Sequence, residues 1–326
     1  MSIAESTLLL PEGFRERVIE MHGTRVLSVE CEGLDVNALA DDPQIRAALL
    51  QELTQYGGVL IRGALPVGAA GFNAHAARFG KPLLSYEFGS TPRSHVEKGV
   101  YSSTEYPASQ WIDQHNEQSY TLKWPSWIWF YCDIAAPQGG ATPVADSREV
   151  WKRIDPALRR LFADKRVMYV RNYGTGLDLP WQKVFNTDRR DVVEAFCADN
   201  QIQYEWGDDG EALRTKQVCQ AELQHPQTGE MVWFNQAHLF HVSSLPDDLR
   251  ESLLDAFPEE ELPRHAFFGD GTPIDDAMLA EIRDVYERTM LAFDWRAGDL
   301  MMLDNLLMSH GRAPFSGARR VLVAMA

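Results

Sequence analysis

The sequence predicts an α+β fold, with a β core and helices gathered outside it, and not an alternating βαβ series. Three observations predict it. Short apolar runs rich in β-branched and aromatic residues crowd the middle and end of the chain, helical spacing is confined to stretches before and between them, and Gly, Pro and Asp punctuate the junctions. There is no internal repeat, low-complexity tract or long linker, so the 326 residues read as one domain. Within it, N-terminal helical decoration is expected over about 1–100 and a helical insert over about 147–230. A 45% hydrophobic share is ample to fill one core of that size.

Each element follows from its local pattern. Leu27, Val29 and Cys31 alternate with Ser28, Glu30 and Glu32, as in a strand with one buried face. Residues 43–56 (PQIRAALLQELTQY) set Ile45, Ala48, Leu49 and Leu53 on one helical stripe. GGVLIRGA (57–64) then reads as a buried strand and 67–79 as a second helix. Four runs read as strands: WIWFYCDIA (127–135), ATPVADS (141–147), RVMYVRNY (166–173) and MVWFNQAHLFHV (231–242). Helices are expected over 147–163, where Val150, Ile154, Leu158 and Leu161 share a face, and over 189–199 and 275–291. DLMMLDN (299–305) and RVLVAMA (320–326) close the chain as strands.

A net charge of −16, spread along the chain with no Lys/Arg stripe, argues against nucleic-acid and anionic-membrane partners. Arg159, Arg160, Lys165 and Arg166 read as a solvated helix face more readily than as a docking patch for an acidic carrier protein. The four cysteines, Cys31, Cys132, Cys197 and Cys219, have no metal or redox spacing and are expected as reduced, mostly buried thiols. The first twenty residues lack a basic start and a long apolar run, and no stretch approaches bilayer length. A soluble cytoplasmic protein is the expectation.

The most informative feature is His115-Asn116-Glu117, answered by His310 193 residues after Glu117. On a strand, residues two apart project to one face, so His115 and Glu117 can reach a common metal. With His310 they form the 2-His-1-carboxylate set that leaves adjacent positions open on a non-haem iron. The HxE triplet is weak alone. It gains weight from residues 295–326, where a turn at Gly298-Asp299 leads to an apolar strand, an Asp-Asn corner, His310, a glycine-containing loop and a strand opened by Arg319-Arg320. A buried carboxylate of a co-substrate needs a fixed bidentate cation, which is what arginine provides.

Four phrases in order, HNEQSY (115–120), GGATPVADSR (139–148), WFNQAH (233–238) and LDNLLMSHGRAPFSGARRVLVAMA (303–326), resemble the TauD/TfdA family of Fe(II)/2-oxoglutarate-dependent oxygenases, and within it the SyrP-like branch. The resemblance implies a double-stranded β-helix core (jelly-roll, cupin-like) with flanking helices. It implies His115, Glu117 and His310 as iron ligands, 2-oxoglutarate and O2 as co-substrates, and Thr142 as a hydroxyl on the distal 2-oxoglutarate carboxylate. For the arginine on that carboxylate, the Arg-x-Leu pattern favours Arg320, whereas SyrP-like sequences with Lys in the second place point to Arg319; strand alternation allows only one. The implied activity is hydroxylation of an amino acid or amino-acid-derived metabolite, free or carrier-bound, in natural-product biosynthesis. Desaturation, epoxidation or cyclisation by the same oxidant is the runner-up, and a non-catalytic jelly-roll binding module is the rival from another class.

Two departures narrow the reading. Glu117 stands where taurine- and herbicide-degrading members carry Asp, and Ala324 stands where they place a second, substrate-holding arginine, so taurine-like substrates are disfavoured. A carboxylate at position 117 also disfavours halogenation. Asn116, Ser119 and Asn235 are candidate substrate contacts. His238 and His241 are expected to face opposite ways, His225 to be exposed in its turn, and Asp304 and Asn305 to shape the corner before His310.

Overall fold

The computed structural model describes residues 10, 12–84, 95–97, 99–102, 106–174, 179–208 and 210–326. Its frame is an eight-stranded sheet in the order Arg15–Met21, Thr24–Glu30, Gly58–Arg62, Leu300–Asp304, Trp127–Ile134, Arg320–Met325, Val100–Ser102 and His95–Glu97. A three-stranded sheet, Ile112–His115, Met308–Arg312 and Val144–Asp146, faces it. This is the expected jelly-roll. A further four-stranded sheet, Gln203–Trp206, Leu213–Cys219, Val167–Tyr173 and Arg264–Phe268, carries its own helical layer.

Strand alternation divides the large sheet between two cores. Ile128, Phe130 and Cys132, with Met301, Leu303, Val321 and Val323, fill the interior between the sheets. Their neighbours Trp129, Tyr131, Leu300, Met302, Leu322 and Ala324 pack outward against Leu39, Leu49, Leu53 and Phe72 of the N-terminal helices. Both faces are apolar, which is why these strands read as continuous hydrophobic runs with no alternation. The cysteines are buried and free, and burial pushes the Cys31 thiol up to about 11 and the Cys132 thiol to about 12, beyond ordinary reactivity.

The helix at Pro43–Tyr56 starts and stops where its chemistry dictates. Asp42 accepts hydrogen bonds from the Gln44 and Ile45 amides, Pro43 opens the first turn, and Gly57 closes it at φ 74°. Two expected elements differ. The helix expected over 147–163 is broken into Ser147–Arg153 and Pro156–Lys165, because Asp155 caps the second and Pro156 cannot continue the first. The strand expected over 231–242 ends at Trp233, and a short helix forms at Ala237–Phe240. There the Asn235 side chain accepts from the Ala237 amide and donates to the Ala221 carbonyl, turning the chain out of the ladder. The segment expected as N-terminal helical decoration supplies strands of the main sheet as well as helices, and its residues 1–9 and 85–94 lie outside the described ones.

One buried ion pair staples the sheet to the turn before the last strands. Arg62 donates through Nε and Nη2 to Asp299 Oδ2 at 3.2 and 2.9 Å, while Nη2 also reaches the Asp294 carbonyl. Gly298 makes this turn possible at φ 92°, with the Ala64 carbonyl only 2.6 Å from where a Cβ would sit. Arg62→Ala is expected to lower stability by about 3–5 kcal/mol, since it leaves the Asp299 carboxylate buried and unpaired. Urea denaturation followed by circular dichroism measures it, and a shift below about 1 kcal/mol would contradict this account of the turn.

Candidate active site

His115 and His310 are brought together by strand pairing. They sit directly opposite each other on antiparallel strands, with ring centroids 4.4 Å apart. The strand carrying His115 ends there, and Glu117 opens the turn that follows. One ligand atom from each of the three residues lies within 4.8 Å of the others, and His310 Nε2 is 3.9 Å from Glu117 Oε2. One ion can take all three atoms with small side-chain shifts, given metal–nitrogen and metal–oxygen bonds of about 2.1 Å.

The donor chemistry fits a divalent iron. His115 Nδ1 donates to the Asp113 carbonyl at 2.8 Å, which leaves Nε2 as the lone-pair nitrogen. Phe130 packs edge-on to His310 at 5.0 Å. Glu117 is positioned through its backbone: its amide donates to Asn305 Oδ1 at 2.8 Å, and Asn305 Nδ2 donates back to its carbonyl at 3.0 Å and to Pro125 O at 2.9 Å. Asn305 therefore does more than shape the corner, because it grips the residue that bears the carboxylate. Asp304 accepts from the Leu306 and Leu307 amides. Its other oxygen lies 3.3 Å from His225 Nε2. His225 is buried beneath the hairpin, not exposed as its turn sequence suggested.

A cavity opens from the histidine pair between the two sheets, lined by Phe130, Thr142, Arg312, Arg319, Val321 and Val323 among others. Arg319, not the favoured Arg320, enters it. Arg319 has the same strand parity as inward-facing Val321 and Val323, whereas Arg320 points to the outer side and pairs with Asp133. The Arg319 guanidinium donates to the Gly140 carbonyl at 3.0 Å and reaches Thr142 Oγ1 at 3.5 Å. Burial, helped by the nearby Arg312 charge, lowers its pKa to about 10, so it stays cationic at neutral pH but is poorly solvated. Gly140, at φ 75°, leaves room for it, since a Cβ there would lie 3.0 Å from Arg319 Cδ. This is the physical content of the GG-x-T phrase.

The candidate substrate contacts Asn116, Ser119 and Asn235 are not brought to the cavity. All three are fully buried and make internal hydrogen bonds: Asn116 Nδ2 donates to Ser147 Oγ and the Asn305 carbonyl, while its Oδ1 has no partner among the described residues; Ser119 Oγ donates to the Asn116 carbonyl, and Asn235 Nδ2 to the Ala221 carbonyl. Asn116 and Ser119 brace the turn around Glu117, and Asn235 braces the turn that follows Trp233. His238 also stays away from the metal set. Its Nε2 meets the Gln114 carbonyl at 2.8 Å, and burial pushes it down to about 3, so it is neutral. Sequence reasoning passed over Trp295, which donates to Thr142 Oγ1 at 2.9 Å. It also passed over Arg312, which donates to the carbonyls of Tyr106, Pro107 and Gln110 and ties that segment to the His310 strand. The signal for Arg312 was available, because two residues after His310 on a strand is the same face.

Fold and site define a metal-dependent oxygenase of the jelly-roll class. The chain belongs to the TauD/TfdA family: the family model described as "Taurine catabolism dioxygenase TauD, TfdA family" matches residues 21–326. It is 40% identical over 273 residues to the dapdiamide synthesis protein DdaC of Enterobacter agglomerans, covering 84% of this chain and 83% of the relative. A clavaminate synthase-like protein of Arabidopsis thaliana is 30% identical over 284 residues, covering 84% and 82%. Among solved structures, PvcB of Pseudomonas aeruginosa superposes with a TM-score of 0.56 at 17% identity, over 98% of this chain and 93% of that one. PvcB is described as an Fe, α-ketoglutarate dependent oxygenase from an isonitrile synthetic pathway. Among the described residues, no helix is long and apolar enough to cross a membrane.

Asn305→Ala removes both hydrogen bonds that hold the Glu117 backbone. Anaerobic Fe(II) titration is expected to show about 10–100-fold weaker binding than wild type, the usual effect of losing a group that orients a ligand. Unchanged iron affinity would mean that Glu117 is held by its own turn and needs no clamp.

Proposed function

We propose that this protein is an Fe(II)/2-oxoglutarate-dependent oxygenase that hydroxylates an amino acid or amino-acid-derived small molecule, free or carrier-bound, in natural-product biosynthesis. The observation that carries the reading is that His115 and His310, which share a donor cluster with Glu117, line the same cavity as Arg319 and Thr142. His115, Glu117 and His310 would hold the iron, and Arg319 with Thr142 would receive the distal carboxylate of 2-oxoglutarate. Bound iron, with O2 and 2-oxoglutarate, supplies an oxidant able to attack an unactivated C–H bond.

The chain's own residues do the positioning. The Asp113 carbonyl fixes the His115 tautomer, Asn305 fixes Glu117, and Trp295 donates to the Thr142 hydroxyl oxygen that Arg319 also reaches. Phe130, Val321 and Val323 wall the cavity with apolar surface, which keeps bulk water from an oxidisable interior. The amino-acid part of the reading is supported by Glu117 in place of Asp, by Ala324 in place of a second arginine, and by a relative named for dapdiamide synthesis.

Iron should bind one per chain in wild type and be lost in His115→Ala and His310→Ala. Under air with Fe(II), a true substrate should stimulate succinate formation from 2-oxoglutarate and gain about 16 mass units, one oxygen atom. A product lighter by two hydrogens would move the outcome to desaturation or ring closure, and absence of stoichiometric iron would leave a non-catalytic binding module. Arg319→Ala is expected to raise the 2-oxoglutarate KM about 10–100-fold, the worth of charge-assisted hydrogen bonds. Arg320→Ala, which removes only a surface pair, should change it less than about threefold. The reverse ranking would restore Arg320 to the role that Arg-x-Leu suggests.

A further inference from the structure

Beside the histidine pair lies a second cavity of about 490 Å³ whose walls include Trp111, Asp113, Arg283, Tyr286, Glu287 and Met290. It shares the Ile112 wall with the cavity of His310 and Arg319, and its floor is the strand that ends in His115. A space of this size suits a metabolite, and its aromatic and thioether surfaces suit an aliphatic body. The charges are the informative part. Asp113 and Arg283 face the same space yet form no ion pair with each other, and the Asp113 carboxylate accepts no hydrogen bond from a described residue.

Arg283 is held so that part of it stays available. Its Nε and Nη2 donate to the His238 carbonyl at 3.2 and 3.0 Å, and Nη2 also donates to Ser243 Oγ at 2.7 Å. These bonds fix the guanidinium plane and leave Nη1 without a partner among the described residues. Opposite charges that face one recess without neutralising each other suit a ligand with the complementary pair. Glu287 adds a second carboxylate, so the lining favours a cation over a second anion.

We propose that this cavity is the substrate site and that it reads an α-amino-acyl group, with Asp113 receiving the ammonium and Arg283 Nη1 the carboxyl or carbonyl oxygen. The proposal rests on the oxygenase reading above and adds the recognition chemistry. It places the reacting carbon near His115 because Asp113 is two residues before it on the same strand. The same chemistry is presented by a free amino acid and by an aminoacyl thioester, and Arg283 separates them: a carboxylate gains a charge-assisted bond that a thioester carbonyl does not.

Anaerobic iron and 2-oxoglutarate binding to the wild-type chain is measured first, and failure there sinks the oxygenase reading itself. Succinate formation is then followed with L-amino acids, their N-acetyl derivatives and their N-acetylcysteamine thioesters as probes. At least one probe with a free ammonium should stimulate turnover, with kcat/KM about 10–100-fold above that of its N-acetyl form, as a charge-assisted hydrogen bond predicts. Asp113→Asn should collapse that ratio toward unity through KM, and Asp113→Glu should largely keep it. A preference for the free acid that Arg283→Gln abolishes assigns the free amino acid as the source, and a thioester preference assigns the tethered one. Equal use of acetylated and free probes, an unchanged ratio in Asp113→Asn, or no stimulation by any ammonium-bearing probe would overturn the proposal.

Discussion

Antiparallel pairing sets His115 against His310, and the geometry of the site follows from that register. A slip of one residue would turn one of the two rings to the opposite face of its strand and dissolve the donor set. The register is held by groups around the pair. Ser309 Oγ donates to Gln114 Oε1 at 2.8 Å, Gln114 Nε2 donates to Pro143 O at 2.9 Å, and the Gly311 amide donates to the same carbonyl at 2.9 Å. These bonds lock the central strand to both neighbours beside the histidines. Glu117, beyond the end of its strand, lies outside that ladder and depends on Asn305 instead. Two of the three candidate donors are therefore fixed by backbone register and the third by one buried side chain.

Much of this was legible in the sequence where a residue's role depends on its near neighbours. The helix at 43–56 carries its own cap, proline and closing glycine, and its bounds match the expectation. The donor set was legible because the two-residue spacing of His115 and Glu117 and the Arg-bearing last strand are local patterns. What stayed hidden depends on distant partners. Asn116, Ser119 and Asn235 looked like polar residues waiting for a substrate, but each finds its partner in a segment folded against it. His225 looked like a turn residue until the corner at Asp304 was folded over it.

The choice between Arg319 and Arg320 shows the limit most clearly. RVLVAMA is apolar at every position after its arginine, because one face of the strand meets the barrel interior and the other meets the N-terminal helices. Alternation then carries no information about which side is which. Only the folded sheet assigns Val321 and Val323 to the interior, and the cavity they line is the one that Arg319 enters. A sheet buried on both faces erases the signal from which an amphipathic strand would have been read.

Charge on the whole molecule and charge in the cavity have opposite signs, and both bear on function. A formal net charge of −16 repels extended polyanions, whose many phosphates would each meet the acidic surface. A small dicarboxylate is different. The surface field is screened within about 8 Å at physiological ionic strength, so what it meets at the end of its path is local. There Arg319 and Arg312 line one recess between apolar walls, and burial lowers the pKa of both because their charges are poorly solvated. A carboxylate placed between them would relieve that cost, so the lining of this recess suits an anion. In the neighbouring cavity carboxylates outnumber the guanidinium, so a second dicarboxylate gains no comparable relief. The two recesses share the Ile112 wall and differ in the sign of the charge that predominates in their lining.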